Sequence, residues 1–244
     1  MKAMIFAAGL GTRLRPLTNS IPKALVELNG RSLLEIAIER LKTFGVTEFI
    51  VNVHHHAEKI VSFLQTKNNF GVRIEISRED DLLLDTGGGL KKASWFFLEG
   101  NSPQPFILHN VDVLSTIDLH QMVKFHHEKS ALATLAVQER QSSRQLLFDE
   151  AGLLSGRHKS ETSDEIVRTA ANIQPLAFSG IHVISPRLLN LITESGVFSI
   201  IDTYLRLAAA SEKISAFRAD QFYWRDLGRL EDLAQASAHL ENRG

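Results

Sequence analysis

Over the first 130 residues, short continuous apolar runs alternate with segments whose apolar residues recur at helical spacing. This alternation restricts the chain to few folds. Met4, Ile5 and Phe6 read as a buried parallel strand. Leu33, Leu34, Ile36, Ala37, Ile38 and Leu41 read as one face of a helix that stops at Gly45. Strands are then predicted over Phe49–Val53, Val72–Ile76 and Phe106–Leu108, and helices around Ile60–Leu64, Leu90–Phe97 and Met122–His127. The order predicts an α/β fold with a Rossmann-like mixed, mainly parallel sheet and helices on both faces. In such sheets ligands bind beyond the carboxyl ends of the strands.

The second half changes character. Ala133–Val137, Gln145–Phe148 and Leu153–Leu154 are short strand-like runs, and Glu150-Ala151-Gly152 reads as a hairpin turn. Residues 156–172 are polar without a clear period and are predicted as a loop. Leu176–Ile184 returns as a strand, and Leu227–Leu240 closes the sequence as a helix. No repeat or linker interrupts it, so residues 1–244 are expected to form one domain.

Phosphate chemistry enters with the loop after the first strand. It reads Gly9-Leu10-Gly11-Thr12-Arg13-Leu14-Arg15-Pro16-Leu17-Thr18, followed by Pro22-Lys23. Glycines let backbone N–H groups approach phosphate oxygens with no Cβ in the way. Arg13, Arg15 and Lys23 add positive charge, and no Asp or Glu precedes Glu27. The whole chain carries a formal net charge of −1, so this basicity is local. It suits a di- or triphosphate rather than nucleic acid or an anionic membrane. The dinucleotide fingerprint fails because Leu14 stands where its third small residue belongs, and the P-loop pattern fails as well. The sequence contains no cysteine, which excludes thiolate metal sites and cysteine nucleophiles.

The full string resembles the signature of sugar-1-phosphate nucleotidyltransferases, the nucleotide-sugar pyrophosphorylases, and the resemblance spans nearly the whole chain. It is most similar to the compact members that join UTP to N-acetylmuramate 1-phosphate. The resemblance implies residues 1–130 as a nucleotide-binding half and 131–244 as a sugar-binding half. It implies that Ala8, Gly9, Gly11 and Thr12 cradle the triphosphate, with Arg13 on the β- and γ-phosphates and Lys23 at the reacting centre. Thr86, Gly87 and Gly88 would receive base and ribose. Asn110-Val111-Asp112 matches a segment whose Asp binds the metal, and Trp224-Arg225-Asp226-Leu227-Gly228 one that supplies a second carboxylate. Asp112 and Asp226 are thus the implied ligands of Mg²⁺. Ser179 and Gly180 would line the sugar pocket.

The implied substrates are a nucleoside triphosphate and a sugar 1-phosphate, UTP with N-acetylmuramate 1-phosphate first. GTP with mannose 1-phosphate and a choline-phosphate cytidylyltransferase are the alternatives, and a non-catalytic nucleotide-sugar sensor is a different class. The expected setting is the cytoplasm and cell wall recycling, as a monomer or small homo-oligomer with no nucleic-acid or membrane partner. The nucleophile in this chemistry is a phosphate oxygen with a second pKa of about 6, so no general base is needed. Catalysis then reduces to positioning and to neutralising two polyanions.

Other groups receive structural readings. Asp118 is predicted as a helix N-cap. His54-His55-His56 and the His126-His127 pair diverge along a regular backbone and are poor joint metal ligands. Trp95, Phe96 and Phe97 are assigned to the core. Arg15 is left between a phosphate contact and a structural ion pair. Three glycines at 87–89 cost helix stability, about 1 kcal/mol each relative to Ala in a helix interior, which suggests close approach by a ligand. Val111 stands where relatives carry glycine, and a β-branched residue there predicts an extended backbone.

Overall fold

The computed structural model describes all residues except 143, 144, 161, 162 and 242–244. In chain order it begins with β1 (Lys2–Phe6), β2 (Glu27–Leu28), β3 (Arg31–Ser32), α1 (Leu33–Thr43), β4 (Glu48–Val53), α2 (Ala57–Thr66) and β5 (Arg73–Arg78). There follow α3 (Asp85–Lys92), α4 (Ser94–Leu98), β6 (Phe106–Asn110), β7 (Val113–Ser115), α5 (Leu119–Lys129), β8 (Ala133–Gln138) and β9 (Gln145–Asp149). The remainder is β10 (Leu154–Ser160), β11 (Ser163–Ile166), β12 (Ile173–Ile184), α6 (Ile200–Ala209), β13 (Ile214–Arg218), β14 (Trp224–Asp226) and α7 (Leu230–Glu241). Among the described residues no helix is long and apolar enough to cross a membrane.

The chain divides into two compact units that interleave in sequence. The first holds Met1–Leu83, His109–Thr116 and Tyr223–Gly244; the second holds Leu84–Leu108 and Ile117–Phe222.

In the first unit β1 pairs with β4 and β4 with β5, all parallel, with Ile5 opposite Val51 and Val51 opposite Ile76. Met4, Ile5, Phe49, Ile50 and Val51 are fully buried, as their continuous apolar runs require. Helix α1 buries Leu33, Leu34, Ala37, Ile38 and Leu41 on one stripe. Each of the leucine and isoleucine side chains contributes about 1.5–3 kcal/mol by leaving water. Ser32 caps α1 by accepting from the Glu35 N–H at 3.1 Å, a contact worth about 1 kcal/mol. The helix ends before Gly45, whose φ of +77° favours a residue without a side chain.

The second unit is mostly antiparallel. Strand β12 pairs through its first residues with β9 and through its last with β8, and β8 also takes β13 in parallel. The loop predicted over 156–172 is corrected here: β10 and β11 form an antiparallel pair with Arg157 opposite Glu165. Arg157 binds Glu165 at 2.8 Å and Asp202 at 2.6 Å. Charge pairing holds this ribbon, so its sequence lacks the apolar alternation that marks a half-buried strand. The predicted helix Leu90–Phe97 is two helices, α3 and α4, meeting at Ala93. Trp95 is half exposed, whereas Phe96 and Phe97 are buried, so the aromatic cluster is only partly core.

Of the three buried histidines among the described residues, two, His126 and His109, have strongly lowered pKa values. His126 contacts Thr134 Oγ1 at 2.9 Å and Ser185 Oγ at 3.0 Å. Burial, followed by the charge of neighbouring His127, lowers its pKa to about 4. Burial and then Arg40 likewise lower His109 to about 4. An unfolded chain protonates both rings as pH falls below about 6.5, whereas the fold resists until about pH 4. More protons bind the unfolded state across that window, so stability should decline on acidification. The thermal midpoint is expected to fall steadily between about pH 6.5 and 4.5, and less steeply in a His126→Gln variant. An unchanged slope in that variant would contradict the assignment.

Candidate active site

The candidate residues of the first unit gather beyond the carboxyl end of β1. Asn52 and Glu79, at the ends of β4 and β5, form a buried frame there. Asn52 Oδ1 accepts from the Ala7 N–H at 2.8 Å, and its amide donates to Glu79 Oε1 at 2.7 Å. The Glu79 N–H in turn donates to the Val53 carbonyl at 2.8 Å. These bonds fix the chain where β1 gives way to the glycine loop. Sequence reading missed both residues; a polar Asn inside an otherwise apolar strand was the available signal.

The two loop glycines differ. Gly11 has φ +63°, and a Cβ there would lie 2.9 Å from Thr18 Cγ2 and 3.0 Å from Lys23 Cβ. Thr18, itself buried, donates its hydroxyl to the Gly11 carbonyl at 2.8 Å. Gly11 is therefore required by the loop's own packing. A Cβ on Gly9 would meet nothing within 4 Å. Arg15 is exposed, and its charge helps depress the pKa of His55 after burial and the neighbouring histidines.

Lys23 Nζ donates to Asp112 Oδ2 in an ion pair whose side chains are only 11% and 12% exposed. The geometry that brings them together is local. Val111 donates to the Phe6 carbonyl at 3.2 Å, which holds the segment after β6 against the end of β1. Val111 is absent from the positive-φ residues, in keeping with its β-branched side chain. Strand β7 then pairs antiparallel with β14, placing Asp226 opposite Val113. The Leu227 N–H donates to the Asp112 carbonyl at 2.7 Å. Two carboxylates distant in sequence become neighbours.

Burial, and then the negative charge of Asp112, raise the Asp226 pKa. Arg13 lies 3.8 Å from Asp226, in an exposed arrangement that solvent screens. Gly228 makes room for it: a Cβ there would lie 2.4 Å from Asp226 Oδ1 and 2.5 Å from Arg13 Nη2. Asp226 accepts from the Gly228 N–H at 2.7 Å and lies on β14, outside α7, so it is not the N-cap of the last helix. Asp118 does cap α5, accepting from Gln121 N–H at 3.1 Å.

Among the described residues no cluster of three or more His, Cys, Asp or Glu side chains could hold a metal. Two adjacent hard carboxylates fit Mg²⁺ chemically, because that ion takes one or two protein carboxylates and fills its remaining positions with water and phosphate oxygens. Of the histidine run, only the His54 side chain has a hydrogen-bond contact among the described residues. His54 Nδ1 lies 2.6 Å from the Glu79 carbonyl, and His56 precedes α2 in a left-handed conformation. Asn110 ends β6, and its carbonyl lies 2.7 Å from His109 Nδ1.

The remaining candidates belong to the second unit. Thr86, Gly87 and Gly88 lie in the first turns of α3, and Thr86 Oγ1 accepts from the Ile200 N–H at 3.0 Å. A Cβ on Gly87 would lie 2.3 Å from the Phe198 ring, and one on Gly88 2.4 Å from the Gly196 carbonyl oxygen. The cost of these glycines, read in the sequence as room for a ligand, has an internal cause: the 196–198 segment presses on α3. Ser179 is fully buried in β12, and Gly180 has φ +73°.

A family model described as nucleotidyl transferase matches residues 2–146. The chain belongs to the nucleotidyl transferase family. It is 32% identical to a UTP–glucose-1-phosphate uridylyltransferase of Synechocystis, over 97% of this chain and 62% of that protein. It is also 32% identical to an N-acetylmuramate alpha-1-phosphate uridylyltransferase of Caulobacter vibrioides, over 98% of this chain and 96% of the relative. The chain thus spans less than two thirds of the first relative's length and nearly all of the second's. In fold it resembles HddC from Yersinia pseudotuberculosis, solved with GMP-PN, at a TM-score of 0.76 and 21% identity, over 98% of this chain and 99% of that one. This likeness shows a shared α/β fold over 98% of the chain.

The contrast between the glycines gives a test. Gly88→Ala is expected to destabilise the fold by about 1–3 kcal/mol, because the Gly196 backbone must move. Chemical denaturation measures this, and an unchanged midpoint would contradict the close packing of α3 on residue 196.

Proposed function

We propose that the chain transfers a nucleotidyl group from a nucleoside triphosphate to a sugar 1-phosphate. A phosphate oxygen of the sugar phosphate attacks the α-phosphorus. The bond from that phosphorus to the bridging oxygen breaks, and pyrophosphate leaves with the electron pair. The reading rests above all on the nearly buried Lys23–Asp112 pair beside Asp226, at the end of the glycine loop.

The obstacle to this reaction is the approach of two anions, and the residues match it. Backbone N–H groups around Ala8, Gly9, Gly11 and Thr12 are suited to phosphate oxygens, and among the described residues a Cβ on Gly9 would meet nothing within 4 Å. Arg13, half exposed, is placed to meet the outer phosphates. Lys23 would neutralise charge at the reacting phosphorus. Asp112 and Asp226 would hold Mg²⁺, which supplies further neutralisation of the phosphate oxygens when bound. No residue need remove a proton, in accord with a nucleophile that is already ionised.

Thr86, Gly87, Gly88 and Asn110 are the proposed contacts to base and ribose, and Ser179 and Gly180 to the sugar. UTP with N-acetylmuramate 1-phosphate is the proposed pair, since the chain matches nearly the full length of the Caulobacter relative. A cytoplasmic role in cell wall recycling goes with that pair.

A grid of nucleoside triphosphates against sugar 1-phosphates with Mg²⁺, read as pyrophosphate release, tests both levels. Release is expected with UTP and N-acetylmuramate 1-phosphate above other pairs. Asp112→Asn and Lys23→Ala should each lower kcat by at least about 100-fold, the loss of roughly 2.7 kcal/mol of transition-state stabilisation. Gly9→Ala should leave the thermal midpoint nearly unchanged while raising KM for the triphosphate. Silence across the grid with nucleotide still bound would sink the enzyme reading in favour of a sensor.

A further inference from the structure

The Lys23–Asp112 pair joins two groups that the reaction needs apart. Lys23 is wanted by phosphate and Asp112 by a divalent cation, yet the ammonium donates directly to the carboxylate oxygen Oδ2. Both side chains are almost withdrawn from water, and Asp226 adds a second negative charge alongside. A dication on Asp112 would stand within a few ångströms of the ammonium, and like charges in a poorly solvated site repel strongly. Lys23 and a metal ion therefore compete for one carboxylate.

Building on the nucleotidyl-transfer reading, we propose that Lys23 is the resident counter-ion of Asp112. It occupies the cation position in the free protein and is released toward the phosphates when a divalent cation binds. The loop that grips phosphate and the carboxylate that grips metal then report on one another. Metal alone binds weakly, because it must displace a desolvated ion pair. Metal together with triphosphate binds well, because the displaced ammonium finds a new anion. Linkage requires the reverse as well: the metal must tighten triphosphate binding by the same factor.

The geometry gives Lys23 the means to move. Its backbone lies in a single short turn, with the Val26 N–H bonded to the Lys23 carbonyl at 3.1 Å, and its four-carbon stem passes Gly11 without a Cβ between them. Rotation about side-chain bonds is then sufficient, and the loop backbone can stay in place. Arg13, 3.8 Å from Asp226 and half exposed, is a weaker version of the same arrangement.

Mn²⁺ alone, in the absence of nucleotide, is the probe, with free Mn²⁺ followed by electron paramagnetic resonance and binding checked by the metal-dependent shift in thermal midpoint. Lys23→Met should bind Mn²⁺ at least tenfold more tightly than the natural protein and gain the larger thermal shift. Lys23→Arg, which keeps a cation in place, should stay as weak as the natural protein. Addition of a non-reacting triphosphate analogue should tighten Mn²⁺ binding in the natural protein and much less in Lys23→Met. Equal or weaker Mn²⁺ binding by a folded Lys23→Met, with Asp112→Asn binding none, overturns the counter-ion role while leaving the metal site intact. Tight binding that survives Asp112→Asn in the Lys23→Met background overturns the metal assignment itself, and the proposal with it.

Discussion

Asp112 and Asp226 are two carboxylates that the fold forces together. The antiparallel pairing of β7 with β14, and the bond from Leu227 N–H to the Asp112 carbonyl, leave them no separate course. Asp112 is nearly buried and Asp226 only partly so, and two such neighbouring negative charges are unfavourable unless cations compensate them. Lys23 and Arg13 do so from the glycine loop. The parallel strands, the turn at Gly11 and the absent side chain of Gly228 can all be understood as fixing where those cations arrive.

The frame beneath the loop has the same logic. Ala7, Asn52 and Glu79 are tied in series by buried hydrogen bonds at the carboxyl ends of β1, β4 and β5. Buried polar groups are costly when unpaired, so this series fixes the backbone where the loop departs. The loop itself is then held by Thr18 closing on Gly11, which leaves the space over Gly9 open to a phosphate on the proposed reading.

Much of this was legible in sequence for a physical reason. Buried parallel strands announce themselves as continuous apolar runs, and β1, β4 and β6 lie where Met4–Phe6, Phe49–Val53 and Phe106–Leu108 predict. The loop from Gly9 to Lys23 stands out because glycine and positive charge are concentrated there, whereas Asp112 and Asp226 are singled out through the family resemblance and not by any local pattern. Residues 156–172 were misread because a ribbon held by Arg157, Glu165 and Asp202 carries no apolar period. The glycines at 87 and 88 were seen correctly as a cost, but their cause, Phe198 and Gly196, lies more than a hundred residues away. Helix α6 and the short strands β7 and β14 also went unread; a three-residue strand has too few positions to show alternation.

In the proposed reaction the nucleotidyl group moves to a sugar phosphate under the control of Asp112 and Lys23. The most direct measurement follows the α-phosphorus of a labelled triphosphate incubated with Mg²⁺ and a sugar 1-phosphate. Label is expected in a nucleotide sugar and none in the released pyrophosphate, with transfer lost in Asp112→Asn. Label recovered only as nucleoside monophosphate, with the sugar phosphate unconsumed, would contradict it.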